Sequence, residues 1–188
     1  MKVTLPDSQQ SISSEDKATT SWFTFFQDIY RAVRGDLGIS IGGNISVKTT
    51  AADNSGSGET NLISYSVPAN LTTTGDELYL KAWGVFAANA NNKTLKLKFG
   101  SQTILTSGAI AANGGSWQIE ATILRTGAAT QEIIASLISG NSSVTELTTR
   151  TAGTQTLSTS NILLITGQGT SSSDITQNAM IVKLTPNN

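Results

Sequence analysis

Glu77-Leu78-Tyr79-Leu80-Lys81-Ala82-Trp83-Gly84-Val85-Phe86-Ala87 places Leu78, Leu80, Ala82, Gly84 and Phe86 on one side of an extended chain and Tyr79, Lys81, Trp83 and Val85 on the other. That period of two is the pattern of a half-buried β-strand. Downstream, Thr94-Leu95-Lys96-Leu97-Lys98-Phe99 is stricter still, with Leu95, Leu97 and Phe99 set against Lys96 and Lys98. A helix would scatter these side chains around its circumference, so this stretch commits the middle of the chain to β-structure.

The same reading extends in both directions. Residues 62–67 end at Pro68-Ala69-Asn70, and Gly100-Ser101-Gln102 turns the chain into Ile104 and Leu105 as a hairpin. After Asn113-Gly114-Gly115, Trp117, Ile119, Ala121 and Ile123 oppose Gln118, Glu120, Thr122 and Leu124. Strand signals continue over 131–138, 144–149, 161–166 and 175–184, most of them bounded by Gly, Ser or Asn. Residues 37–48 alternate in part through Ile39, Ile41, Ile45 and Val47, interrupted by Gly42-Gly43-Asn44, which reads as a bulge or tight turn. The expected inward set includes Leu80, Leu95, Leu97, Ile119, Ile162 and Leu164. About eight to ten strands with no helical period between them predict a mainly β fold, a jelly-roll-like antiparallel β-sandwich. No internal repeat of solenoid or propeller length is visible.

The N-terminal region reads differently. Five of the chain's eleven aromatic residues fall between Trp22 and Tyr30. At 100° per residue, Trp22, Phe25, Phe26, Ile29, Ala32 and Val33, flanked by Phe23 and Tyr30, cover about half of a helix surface. Thr24, Gln27, Asp28, Arg31 and Arg34 hold the other half. Ser21 suits the N-cap and Gly35 the C′ position, and Arg31 and Arg34 favour the negative end of the helix dipole. The sequence therefore predicts a short aromatic helix in front of the sandwich, preceded by a polar arm over residues 1–20. The expected organisation is an arm and helix over 1–36, serving attachment or oligomerisation, and a β-sandwich head over 37–188. So wide an apolar face must be covered by the β body of its own chain, by a second copy or by another protein, and on the latter two readings Trp22, Phe23, Phe25, Phe26, Ile29, Tyr30 and Val33 are the candidate partner-binding residues.

Composition excludes several chemistries. The 188 residues include no Cys and no His, which removes disulfides, thiolate nucleophiles, imidazole bases and the usual zinc and copper ligands. Charged residues are 13 % of the chain and the net charge is −1. From residue 48 onward eight acids face eight bases with no basic stripe, so no nucleic-acid partner is expected. The N-terminus has no apolar signal-peptide core and no window approaches the roughly 18 apolar residues of a span, so no membrane partner is expected. No cofactor and no metal site are expected, and no enzyme.

Individual motifs stay weak. Asp76 and Glu77 are neighbours in a strand, hence on opposite faces, which suits no glycosidase pair; Thr72-Thr73-Thr74-Gly75-Asp76-Glu77 reads as a solvated turn. Gly167-Gln168-Gly169-Thr170 and Gly56-Ser57-Gly58 imitate phosphate loops but lack the lysine and the following helix. Trp83 and Trp117 could stack on a sugar ring if they faced outward, but burial is the commoner fate of an indole in a strand.

Three stretches, 76–100, Gly115-Ser116-Trp117-Gln118-Ile119-Glu120 onward to Gly127, and Gly167-Gln168-Gly169-Thr170 with Ser173-Asp174-Ile175-Thr176-Gln177, resemble β-sandwich modules in structural proteins of tailed bacteriophages. Residues 21–30 are similar to the short aromatic helix with which phage appendage proteins dock on a virion. The resemblance implies a virion component of the tail-fibre, spike or head-decoration type, commonly a homotrimer, located on the virion after assembly in the host cytoplasm. The absence of a long repetitive shaft favours a compact fibre, a decoration protein or an adaptor, contacting other virion proteins. The alternative is a receptor-binding module that recognises a host-surface glycan through loops of the sandwich; the ligand-binding residues for that role stay unassigned.

Overall fold

Alternation in the chain becomes alternation in space. A computed structural model of the protein describes residues 42–140 and 144–187, and Gly42–Asn187 cluster as one unit. Eleven strands are present among the described residues, with no helix. They are β1 (Gly43–Lys48), β2 (Ala52–Ser55), β3 (Thr60–Val67), β4 (Glu77–Phe86), β5 (Thr94–Phe99), β6 (Gln102–Thr106), β7 (Ser116–Arg125), β8 (Gln131–Gly140), β9 (Val144–Gly153), β10 (Asn161–Gln168) and β11 (Ser172–Thr185). The predicted aromatic helix and the arm lie outside the described residues.

All pairings are antiparallel. The larger sheet runs β1-β11-β4-β7-β8-β9, with β2 joining β1 along the same edge of β11. The smaller sheet runs β3-β10-β5-β6. Between them lies one apolar core that draws on both sheets, including Leu78, Leu80 and Ile119 from the larger and Leu95, Leu97 and Phe99 from the smaller. Each large side chain so buried contributes about 1.5–3 kcal/mol. The result is the β-sandwich-like, all-β body that the strand spacing predicts, with the inward faces of β4, β5 and β7 as expected.

Two details lock the sheets. Gln177 is fully buried on β11 and its Oε1 accepts the Ile63 amide of β3 at 2.9 Å, so one side chain ties the sheets across the core. Gly84 makes room for a neighbour: a Cβ there would fall 1.9 Å from the Thr176 carbonyl oxygen and 2.7 Å from the Trp117 ring.

Four expectations are corrected. In β10 the core takes Leu163 and Ile165, while Ile162 is 49 % exposed and Leu164 only part-buried. Ile162-Leu163-Leu164-Ile165 is an unbroken apolar run without phase of its own. Its face is set by β5, which pairs Leu163 with Phe99 and Ile165 with Leu97. β2 was not expected, because Ala52-Asp53-Asn54-Ser55 carries no apolar alternation. It raises the number of strands above the expected range. The turn before β4 is not solvated throughout: Asp76 is buried, accepting the Thr73 amide at 2.7 Å and the Asn187 amide at 2.9 Å.

Candidate functional site

The predicted partner-binding residues Trp22, Phe23, Phe25, Phe26, Ile29, Tyr30 and Val33 all lie outside the described residues. Within the sandwich, chemistry concentrates in two places.

The first is the end of the sandwich where β4 finishes and β11 begins. Asp174 is buried, and its carboxylate accepts the Thr170 and Ser171 amides, each at 2.8 Å, and the side-chain amides of Asn89 and Asn91. Burial opposes its charge, but the N–H groups of Ser171, Asn89, Thr170 and Asn91 prevail and hold it at about 2. The fully buried Lys93 ammonium donates to the Asn89 carbonyl and Oδ1, the Asn91 carbonyl and the Ala112 carbonyl at 2.8–3.1 Å. Burial depresses its pKa against the attraction of Asp174. Asn89 and Asn91 thus bridge the two opposite charges. The glycine-flanked segment Gly167–Thr170 belongs here, and the amides an anion would need are already taken by Asp174.

The second is the outer face of the larger sheet. Trp83, Gln118, Ile138 and Glu146 are cross-strand partners in one rung, and Lys81, Glu120, Ser136 and Thr148 in the next. Lys81 Nζ lies 2.9 Å from Glu120 Oε1, and Gln118 Nε2 donates to the same oxygen at 3.0 Å. The Lys81 ammonium holds the Glu120 carboxyl below its ordinary range against partial burial, helped by the Tyr79 hydroxyl. Burial, together with the Glu120 carboxylate, pushes the Tyr79 hydroxyl up to about 12. Among the described residues, five of the six exposed large aliphatic residues, Val47, Val85, Leu124, Ile134 and Ile138, belong to this sheet. At one end of the face a depression of about 700 Å³ is lined by Trp83, Lys81, Ser116, Gln118 and Ile138, and also by Trp117 and Ser139, which are buried on the opposite side of the sheet.

The two tryptophans of the body therefore separate. Trp83 is part-buried on the outer face, where alternation puts it. Trp117 is 1 % exposed on the core face; its Nε1 and the Oγ of Ser139, its cross-strand partner on β8, are buried without a hydrogen-bond partner among the described residues.

Beside the smaller sheet's outer face, Glu59 in the loop before β3 takes Lys96 at 2.6 Å, Lys98, and the Thr166 hydroxyl at 2.8 Å. Lys96 and Lys98 beside it bring its pKa down to about 2. Among the described residues no group of three or more acidic residues could hold a metal, and no helix is long and apolar enough to cross a membrane. No protein-family model matches the chain, and no curated protein matches it.

Proposed function

We propose that this chain is a structural component of a bacteriophage virion: a compact fibre, decoration or adaptor protein whose β body is a jelly roll and whose N-terminal region attaches it to the particle. The observation that carries the reading is the strand order. β2-β11-β4-β7 faces β3-β10-β5-β6, an order that supports the reading of two nested Greek keys, the jelly-roll architecture used by viral capsid and lectin domains. The hairpin of β8 and β9 extends the larger sheet beyond that frame. The sequence resemblance to phage β-sandwich modules points the same way. In this reading the aromatic residues Trp22 to Val33 supply the anchor, as a trimer contact or a docking helix, and the protein performs no catalytic step. The test is to locate the chain on particles produced by its host, by immuno-electron microscopy and peptide mass spectrometry, for the full chain and for a version lacking residues 1–36. Presence of the full chain on particles and loss of the truncated one is the expected result. Absence of the full chain from particles overturns the virion reading, and normal incorporation of the truncated chain moves attachment to the β body.

A further inference from the structure

We propose that the depression beside Trp83, on the outer face of the larger sheet, is a saccharide-binding site. Its volume of about 700 Å³ lies inside the range of ligand sites, and it opens to solvent. An indole that is only part-buried offers a flat apolar surface of the kind that covers the C–H face of a sugar ring. Sugar hydroxyls need donors and acceptors together, and the surrounding side chains supply both. Gln118 spends one amide N–H on Glu120, and its carbonyl oxygen takes no bond among the described residues. Lys81 gives one contact to Glu120 and keeps further N–H groups, and Ser116 is exposed at the rim.

Other ligand classes fit less well. Lys81 is neutralised by Glu120, so the depression offers no surplus positive charge for a nucleic-acid backbone. An extended peptide would need a free strand edge, but β4, β7 and β8 each have neighbours on both sides. An apolar small molecule would gain little from so open a site, whereas a polymer of hydroxylated rings is served by a shallow face with one aromatic platform. On the virion reading proposed above, several copies on one particle would add avidity to a weak single site.

The experiment uses the full chain against an array of bacterial surface polysaccharides, both capsular and lipopolysaccharide-derived, followed by saturation-transfer NMR with any oligosaccharide that scores. Saturable binding is expected, reduced about tenfold or more in Trp83→Ala and less in Trp83→Phe, which keeps a smaller ring. Gln118→Ala should weaken it too, while Ile162→Ala, on the opposite sheet, leaves it unchanged. Unaltered far-UV circular dichroism and melting of the variants exclude loss of fold as the cause. Failure of every glycan to bind the wild type overturns the proposal, as does binding that survives Trp83→Ala. A change of oligomeric state in Trp83→Ala by light scattering, with no glycan bound by the wild type, assigns the face to contact between copies instead.

Discussion

The end of the sandwich around Asp174 and the outer face around Trp83 use polar residues in opposite ways. Around Asp174 the two charged groups are buried and committed: the carboxylate takes four N–H donors and the Lys93 ammonium faces four oxygens. Around Trp83 the groups are half exposed, and Gln118 and Lys81 retain unspent hydrogen-bonding capacity. Polarity by itself therefore does not mark a site. A satisfied buried network fixes loops, and unspent capacity beside an aromatic surface is what a ligand can use.

The comparison breaks most visibly at Asp174. Asp174→Ala removes the countercharge that faces Lys93 across Asn89 and Asn91 and leaves the Thr170 and Ser171 amides and two Asn side chains without their acceptor, so chemical denaturation should show a loss of about 3–5 kcal/mol. A loss below about 1 kcal/mol would mean that the network is not a structural fixture. Lys93→Met should cost about 2–3 kcal/mol by leaving carbonyl oxygens unpaired, and a double-mutant cycle with Asp174→Ala should show less than the summed loss.

Acid titration sharpens the same contrast. Asp174 and Glu59 both have folded pKa values lowered to about 2, from 3.8 and 4.5 respectively. Their stabilisation is complete above the unfolded values and is lost as pH falls from about 4.5 toward about 2. Urea midpoints across that window should fall steeply in the wild type. They should fall less steeply in Glu59→Gln. An unchanged slope in that variant would remove Glu59 from the account.

The outer face should be nearly silent in stability. Trp83→Ala is expected to shift the unfolding free energy by about 1 kcal/mol or less, the reverse of its effect on saccharide binding. A loss comparable with that of Asp174→Ala would make Trp83 a packing residue. The smallest effect is expected at Ser139→Ala, which removes a buried hydroxyl without a partner and should be neutral or stabilising by up to about 1 kcal/mol in thermal unfolding.

How much of this could be read in the chain depends on whether the deciding interaction is local. Leu95, Leu97 and Phe99 announce their face because Lys96 and Lys98 separate them, and Trp83 announces its outward position by the same rule. The run Ile162 to Ile165 has no such phase, so its face is settled by β5. Asp76 sits in a sequence that reads as an exposed turn, and one of its partners is the distant Asn187 amide. The Asp174 network was illegible for the same reason, since Asn89 and Asp174 are 85 positions apart. Alternation predicts where Trp83 points but not that Gln118 and Lys81 gather beside it, because pairing register between strands is a tertiary property.

β11 has a consequence for the order in which the protein can be made. It carries β1 and β2 along one side and β4 along the other, so Gly43 is paired with Leu184 and Glu77 with Thr185. While the chain leaves the ribosome, β1 and β2 wait as unpaired strands, and the larger sheet closes only once residue 185 has emerged. Such late, long-range closure makes for slow folding and leaves strand edges open until the last strand has joined.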